Sequence, residues 1–356
     1  MPALLNFFFL GSWTLTLIFI PLIAHQYTDN LFLISLVLTL YNSMVLIAST
    51  LFGRLGDTLG RKKMVILGFM VSAAVFYAHN FIGDLRSLFI IRMCAGIGVA
   101  MVPGPLAALV GSASVGVFTA AGSFGFMIAS ILAGFLQQKG LVFTTSALMC
   151  VIGMILALKI REKVKRLTVP FFPWQVIKKN ADIYVPYFIR HSAASAIWAI
   201  FPIYLSTLGA DTVLIGILYA INPLMQVTFM LVLRHVKSDR LITTGLIASA
   251  VTFFGYALAG HWGFLIGLQA LLGFSWANLY LGSMKHLLEE NTEQATATGI
   301  LNSIFGLSGI IGPLIGGLVS FLGLRVLLGF STVVAAGGFI VSRNLRRRAA
   351  KIRHRQ

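Results

Sequence analysis

The stretch GRLGDTLGRKK, residues 53–63, carries five charged side chains and lies between two apolar segments of the chain. Residues 31–52 before it and residues 64–82 after it contain no Lys, Arg, Asp or Glu. Each of these segments has about the 20 residues that a helix needs to cross a hydrocarbon core of about 30 Å. We therefore interpret residues 53–63 as a polar connection between two membrane spans.

The composition extends this interpretation to the whole chain. Of 356 residues, 58% are hydrophobic and 10% charged, and the mean hydropathy is +0.91, values that exclude a soluble protein. Because backbone polar groups in lipid must be satisfied within the segment, each long apolar run predicts a helix. The predicted fold class is an all-α integral membrane protein with 12 transmembrane helices. The spans are 3–24, 31–52, 64–82, 87–109, 113–136, 141–159, 183–206, 212–233, 241–259, 262–284, 296–321 and 324–342.

The positive charge of the chain would by itself suit a nucleic-acid partner, since 27 Lys and Arg against 10 Asp and Glu give a net charge of +17. Its placement argues otherwise, because 22 of the 27 cations fall on one side of the predicted membrane. Three fall on the other side, and Arg92 and Arg190 lie within spans. The positive-inside rule therefore predicts a multi-pass protein of the cell (cytoplasmic) membrane with both termini in the cytoplasm and no nucleic-acid partner.

The longest connection between spans predicts two halves. Residues 161–182 combine basic side chains with the aromatic segment PFFPW at 170–174, a composition typical of an interfacial, here cytoplasmic, linker. The linker separates an N-terminal six-helix bundle, residues 1–160, from a C-terminal six-helix bundle, residues 183–343, which a basic tail follows at 344–356. An offset of 182 pairs Asp57 with Asp239, and we interpret the halves as pseudo-symmetric repeats.

Residues 53–63 resemble the signature loop of the major facilitator superfamily, Gly-x-Leu-x-Asp-Arg-x-Gly-Arg-Lys, with Thr58 in place of the first Arg. The resemblance implies that Asp57 meets a helix N-terminus of the opposite half and stabilises an outward-facing state. Its glycines would allow a tight turn and close helix approach. In the second half, residues 234–240 keep Asp and Arg without the glycines. The implied conformational switch consists of Gly53, Asp57, Gly60, Arg61, Lys62, Asp239 and Arg240.

The fourth span carries a second match, since residues 92–100 resemble the superfamily pattern Arg-x-x-x-Gly-x-Gly-x-Ala. An Arg at the centre of a membrane helix costs up to about 3 kcal/mol on insertion scales, so a partner or water is needed. The resemblance implies that Arg92 faces a central cavity and takes part in proton coupling or substrate binding.

The first two spans point to a branch of the family. Together with the Gly-Arg-Leu-Gly-Asp connection, Leu10-Gly11, residues 21–24 and residues 40–43 look most like the twelve-helix drug:proton antiporters. The Gly-Pro pattern that this branch carries in its fifth helix is replaced here by ASILAG at 129–134. The eleventh span instead offers helix-packing or gating residues: Gly312, Pro313, Gly316 and Gly317.

No Asp or Glu is an obvious candidate for proton coupling, because all ten acids map to loops or to the ends of predicted spans. Proton coupling usually needs a titratable group within the membrane. Three alternatives remain open: Asp29 with His25, Arg92 paired with one of these two residues, or Arg190 with His191. Arg92 and Arg190 would otherwise bind an anionic substrate directly.

Polar and aromatic residues of the predicted inner helices are candidates for lining the cavity: Trp13, Tyr41, Asn42, Trp198, Asn222, Gln226, Trp276, Asn278 and Tyr280. Pro223 beside Asn222 predicts an interruption of the eighth helix. The two cysteines, Cys94 and Cys150, are interpreted as buried hydrophobes.

The sequence thus predicts a secondary active transporter that moves small amphipathic or drug-like molecules by alternating access, as efflux coupled to protons. The alternative is an organic-anion carrier or facilitator that uses Arg92 and Arg190 without proton coupling. The expected partners are a small-molecule substrate, protons and the lipid bilayer, and the expected state is a monomer. No motif predicts an enzyme, a cofactor or a metal site.

Overall fold

The computed structural model describes residues 1–18, 20–28, 31–110, 114–136, 138–162 and 167–353, and all its long regular elements are α-helices. Two short 3-10 helices follow α4 and α11, at His79–Phe81 and Leu233–His235. The α-helices are α1 Pro2–Ile18, α2 Ile20–His25, α3 Leu31–Leu59, α4 Arg61–Ala78, α5 Leu85–Ala100, α6 Pro103–Ala107, α7 Val115–Leu136, α8 Lys139–Leu158, α9 Trp174–Lys179, α10 Ala181–Thr207, α11 Thr212–Val232, α12 Ser238–Leu258, α13 Gly263–Glu290, α14 Gln294–Ser320 and α15 Leu324–Arg353.

Each predicted span falls on one helix or on two consecutive helices. Among the described residues, ten helices are long and apolar enough to cross a membrane, and Pro2–Leu17 forms a shorter apolar helix. The first predicted span corresponds to α1 with α2, and the seventh corresponds to α10. The fourth predicted span is divided between α5 and the short α6, which begins at Pro103.

The loop expected at residues 53–63 is helical for most of its length, because α3 continues to Leu59 and α4 begins at Arg61. Only Gly60 interrupts the helix. Its φ of 118° lies where side chains with a Cβ are strained, so a glycine is needed at this turn. The charged residues therefore lie on two helix ends that a single residue joins.

Two smaller predictions also need correction. Pro223 does not interrupt the eighth predicted span, since α11 continues through it to Val232; in a membrane, neighbouring groups satisfy the backbone that a proline frees. Cys150 is buried as expected, but Cys94 is exposed on the surface of α5. A surface that faces lipid tolerates such an apolar side chain without burial by protein.

The helices form two compact units. Unit 1 consists of Met1–Pro173 together with Leu287–Gly306, so that the first part of α14 belongs to it. Within unit 1, α1 packs along α7 and α8, α4 packs along α8, and α3 packs along α5. Small residues allow these close approaches: a Cβ at Gly96 of α5 would lie 2.6 Å from the carbonyl oxygen of Tyr41 in α3.

Unit 2 consists of Trp174–His286 together with Leu307–Gln356. Its α15 packs along α10 and α12. A cluster of buried apolar residues from α10, α12, α13 and α15 includes Phe201, Phe253, Leu272 and Leu328. Gly245 allows α12 to approach α13, since a Cβ there would lie 2.6 Å from the backbone nitrogen of Leu279.

Candidate functional site

Asp57 caps the N-terminus of α14 inside unit 1. Its Oδ2 accepts hydrogen bonds from the backbone N–H and the hydroxyl of Thr296, both at 2.8 Å, and its Oδ1 accepts one from the backbone N–H of Ala295 at 3.3 Å. Asp57 is buried, and its Oδ1 also forms a salt bridge of 3.0 Å with Nη2 of Arg61. A carboxylate at a helix N-terminus satisfies free N–H groups and complements the helix dipole. We call these four residues the Asp57 cap.

Neighbouring groups hold the Asp57 cap in place. Nη1 of Arg61 donates to the carbonyl of Ala108 at 2.6 Å and to Oε1 of Gln294 at 3.1 Å. Gly53 lies one helical turn before Asp57, and a Cβ there would lie 2.5 Å from the carbonyl oxygen of Ala295. The glycine therefore lets α3 approach the start of α14 closely.

Lys62 and Thr58, in the same stretch 53–63, form hydrogen bonds away from Asp57. Nζ of Lys62 donates to the carbonyl of Leu158 at 2.8 Å, at the C-terminal end of α8. The hydroxyl of Thr58 donates to the carbonyl of Arg54 in its own helix at 3.1 Å. Neither side chain contacts the carboxylate of Asp57 among the contacts of the described residues.

The related position in unit 2 has a different geometry. Asp239 lies in the first turn of α12 and forms a salt bridge of 3.3 Å with Arg346 of α15, with 73% of its side chain exposed. Arg240 is exposed. Asp239 is therefore a surface acid next to the end of α15, in contrast to the buried Asp57.

Arg92 lies inside unit 1, about 10 Å along the helix axis from the start of α5. Its guanidinium lies over the ring of Tyr41, 4.1 Å from the ring centroid. The hydroxyl of Tyr41 accepts a hydrogen bond of 2.6 Å from Nε1 of Trp13. Three predicted residues from α1, α3 and α5 thus meet, and we call them the Arg92 cluster.

The guanidinium of Arg92 is buried without full hydrogen bonding. Only 1% of the residue is exposed, and its Nε and Nη2 have no hydrogen-bond partner among the described residues. No carboxylate in the described part of the chain forms an ion pair with it. A buried charge whose hydrogen-bond donors lack acceptors destabilises the folded state, which indicates that Arg92 has a functional role.

Arg190 of α10 is also buried, but its donors are engaged within unit 2. Nε donates to the hydroxyl of Ser249 at 2.8 Å and Nη2 donates to the hydroxyl of Ser275 at 3.3 Å. Its guanidinium also lies 5.5 Å from the ring centroid of Phe253 and 5.3 Å from that of Trp276. We call these five residues the Arg190 cluster. Its two hydroxyl groups and two ring faces compensate the positive charge of the guanidinium.

Aromatic rings surround His191. Its ring centroid lies 5.7 Å from that of Tyr187 and 5.1 Å from that of Trp276. Trp276 in turn stacks on Tyr280 at 5.5 Å with an interplanar angle of 7°. Arg190, His191, Trp276 and Tyr280 therefore belong to one continuous group.

The remaining cavity candidates are dispersed. Nε2 of Gln226 donates to Oδ1 of Asn222 one helical turn earlier at 2.9 Å, and Asn278 is buried and accepts from Thr244 at 2.8 Å. Trp198 packs against Phe201 and Tyr219. Asn42 is half-buried in α3.

The first coupling alternative, Asp29 with His25, lies only partly within the described residues. His25 is exposed at the end of α2, and Asp29 lies outside the described residues. The nine described acids all lie in loops or in the first or last turns of helices. In the described part of the chain, no three His, Cys, Asp or Glu side chains are grouped so that they could hold a metal ion.

The glycines of α14 differ in whether another helix packs against them. A Cβ at Gly312 would lie 2.5 Å from Cβ of Ser195, and a Cβ at Gly316 would lie 3.0 Å from Ala196, so both pack against α10 within unit 2. A Cβ at Gly317 would meet no atom within 4 Å, and α14 continues through Pro313. Gly312 and Gly316 therefore allow close packing, whereas Gly317 lies outside the contact.

Sequence reasoning missed several polar residues at these sites. Ser249 and Ser275 bind Arg190, and their small size in apolar helices was the available signal. Gln269 of α13 is fully buried, and neither its Nε2 nor its Oε1 has a partner among the described residues. Glu162 accepts from the backbone N–H groups of Arg61 and Lys62 at 3.0 and 2.8 Å. Its place in a basic linker gave no sign of this capping role.

The long apolar helices define a multi-pass membrane protein. The model of the Major Facilitator Superfamily matches residues 3–241 and residues 183–355, and the chain belongs to this family. This confirms the predicted fold class, an all-α membrane protein with the major facilitator fold.

Among solved structures, the chain is similar to the human organic anion transporter MFSD10 (TETRAN), with a TM-score of 0.84 and 14% identity. The match covers 96% of this chain and 97% of that one. At this identity the likeness shows the fold alone. A comparison with curated protein sequences gives no match.

Proposed function

We propose that this transporter carries small organic anions and that the guanidinium of Arg92 contacts the anionic group of the substrate. The observation that carries the proposal is the pair of buried donors, Nε and Nη2, that no described residue satisfies. An anion supplies both missing acceptors and the missing counter-charge. Hydrogen bonds of this charge-assisted kind are about twice as strong as neutral ones.

The geometry of the Arg92 cluster favours a planar oxyanion. Nε and Nη2 are neighbours on one edge of the guanidinium, the edge that pairs side-on with the two oxygens of a carboxylate. The ring of Tyr41 covers the face of the same group, and Trp13 fixes the hydroxyl of Tyr41. The contact with Tyr41 therefore orients the guanidinium, and the two donors of its side-on edge are the ones that no described residue satisfies.

The placement of the acids gives further support. Every described carboxylate lies in a loop or a terminal helical turn, so that none of them competes for Arg92 in the middle of its helix. A structurally similar protein is an organic anion transporter, which agrees with the proposal at the level of fold. Arg190 has its own hydroxyl partners, and we therefore assign it to holding the Arg190 cluster together rather than to the first contact with the anion.

Proton-coupled efflux of amphipathic compounds is the second candidate, and it follows from the resemblance to the drug:proton antiporters. The aromatic group of unit 2 favours it, since the ring centroids of Trp198 and Tyr219 lie 5.1 Å apart and those of Phe201 and Tyr219 lie 5.8 Å apart. Aromatic faces bind cationic amphipaths through cation–π interactions. In either case we propose transport by alternating access, with the Asp57 cap formed in one state and released in the other.

Purified protein in liposomes tests the two candidates. Uptake of carboxylate compounds is compared with uptake of their neutral amides and of cationic amphipaths, under imposed gradients of pH, sodium or voltage. Wild-type protein is expected to prefer the carboxylates. The variant Arg92→Gln is expected to lower carboxylate transport by about 10- to 100-fold, the value of one charged hydrogen-bonded pair.

The controls separate charge from folding. Arg92→Lys keeps the charge without the side-on pair and is expected to retain partial transport. Arg325→Gln removes a cation from the start of α15 and is expected to change transport little. Equal carboxylate transport by wild-type protein and Arg92→Gln would reject the anion role. Transport of cationic amphipaths alone, driven by a pH gradient, would support the second candidate.

A further inference from the structure

A pocket of about 410 Å³ lies in unit 1 where the linker meets the start of α4, and none of its lining residues belongs to the Arg92 cluster. Its lining includes Leu59, Lys62, Lys63, Ile160, Arg161 and Glu162. All of these belong to the side of the chain that carries 22 of the 27 cations and that we predict to be cytoplasmic. The pocket thus lies at the predicted level of the lipid headgroups.

The charges of the pocket favour an anion. Three cations line it against a single acid, Glu162. Both carboxylate oxygens of Glu162 already accept hydrogen bonds from the backbone N–H groups at the start of α4. Lys62 is held by the carbonyl of Leu158, whereas Lys63 and Arg161 are exposed at the pocket. A phosphate group matches this set, because Arg and Lys bind its oxygens with charge-assisted hydrogen bonds.

The apolar edge of the pocket identifies the source of the phosphate. Leu59 lines the pocket with 51% of its surface exposed, and Leu158, whose carbonyl binds Lys62, is 56% exposed. Exposed leucines beside cations suit a molecule whose charged head continues into acyl chains. A soluble phosphate compound would leave these leucines uncovered.

We propose that this pocket binds the phosphate of an anionic phospholipid, with Lys63 and Arg161 as its main contacts. The lipid phosphate occupies the basic wall of the pocket, and its acyl chains lie against the exposed leucines. The site is separate from the Arg92 cluster, so that failure of the anion-transport proposal would leave it unaffected.

Native mass spectrometry of the purified full chain in detergent tests the site. The probes are dioleoyl phosphatidylglycerol, dioleoyl phosphatidylcholine and inorganic phosphate. Wild-type protein is expected to retain phosphatidylglycerol in preference to phosphatidylcholine. The double variant Lys63→Ala/Arg161→Ala is expected to bind phosphatidylglycerol about 25-fold more weakly, at about fivefold for each juxtamembrane cation.

A matched variant controls for charge. Arg234→Ala/Lys237→Ala removes one Arg and one Lys from exposed positions of unit 2 on the same predicted side, and it is expected to bind phosphatidylglycerol as the wild-type protein does. The charge-preserving variant Lys63→Arg/Arg161→Lys is expected to bind phosphatidylglycerol nearly as well as the wild-type protein, and loss of binding in it would overturn the role of the two charges. Equal weakening in the pocket variant and in the matched variant would overturn the site. Displacement of the lipid by millimolar inorganic phosphate would assign the pocket to soluble phosphates and overturn the lipid assignment.

Discussion

Asp57 binds Thr296 twice through a single carboxylate oxygen, since both the backbone N–H and the hydroxyl of Thr296 donate to Oδ2 at 2.8 Å. The two residues are 239 positions apart in the sequence and yet belong to the same compact unit. The first turn of α14 is thereby attached to the end of α3. Any movement that separates the start of α14 from the end of α3 must break these hydrogen bonds.

The variant Asp57→Asn tests this attachment. An amide replaces one acceptor oxygen with a donor that faces the N–H groups of α14, and it also removes the salt bridge with Arg61. Loss of a helix cap costs about 1 kcal/mol, which corresponds to an approximately fivefold larger open population. A cysteine at the buried position Thr298, in a chain without Cys94 and Cys150, is expected to react about fivefold faster with a thiol reagent.

Asp239→Asn is the matched control for this experiment. Asp239 lies in the first turn of α12 and, like Asp57, pairs with an Arg, but its side chain is largely exposed. Exposed ion pairs contribute little to stability. The labelling rate of Thr298→Cys in the Asp239→Asn variant is therefore expected to equal that of the parent protein. Equal labelling rates in the Asp57→Asn and parent proteins would show that the cap does not hold α14.

The two buried arginines are expected to respond in opposite ways to replacement by methionine. Arg92→Met removes a charge whose donors lack partners, so the thermal unfolding midpoint is expected to rise or stay unchanged while anion transport is lost. Arg190→Met removes hydrogen bonds to Ser249 and Ser275 and contacts with two rings, which is expected to cost about 1–2 kcal/mol. Unfolding of the detergent-solubilised variants, followed by fluorescence, measures both. A larger loss of stability in Arg92→Met would mean that Arg92 has a structural role.

Much of the fold follows from the sequence for a simple physical reason. Lipid requires every spanning segment to satisfy its own backbone, and only long apolar helices do so, which makes the spans visible in the composition. Charged residues at a membrane surface predict a loop at the end of α3, although Asp57 and Arg61 are compatible with helix. Gly60 alone marks the break, through a backbone angle that a list of residue types does not reveal.

The site was only partly predictable. Arg92 and Arg190 stand out because charges within spans are rare, and the sequence predicts Tyr41 and Trp13 separately, as residues that line a cavity. Their different roles were not visible, because the partners of Arg190 are two serines from helices that are distant in sequence. Hydroxyl groups are common in membrane helices, and only the packing of α10, α12 and α13 decides which of them meet a guanidinium.

The stability contributed by Asp84 is expected to depend on pH. Asp84 is the N-cap of α5, and hydrogen bonds from the backbone and side chain of Ser87 lower its pKa below the ordinary value. Because the pKa is lower in the folded state, its contribution is present above the unfolded pKa, near 3.9, and is lost as the pH falls through the folded value. Thermal unfolding of the wild-type protein and of Asp84→Asn, which keeps a capping oxygen, is compared from pH 3 to pH 7. The stability advantage of the wild-type protein is expected to shrink toward acid pH, and a constant difference would contradict this.

A pair of glycine-to-alanine variants separates close helix packing from helix propensity. At Gly53 a Cβ would lie 2.5 Å from the carbonyl oxygen of Ala295, so Gly53→Ala must push α14 away from α3 and weaken the Asp57 cap. At Gly317 a Cβ would meet nothing within 4 Å, and alanine there gains up to about 1 kcal/mol of helix propensity. Gly53→Ala is therefore expected to lower the thermal unfolding midpoint by several degrees and to raise labelling at Thr298→Cys, as Asp57→Asn does. Gly317→Ala is expected to leave the labelling unchanged and to raise the midpoint slightly. Because both variants add the same methyl group to a membrane helix, equal effects on the labelling would show that contact with Ala295 does not decide how α14 is held.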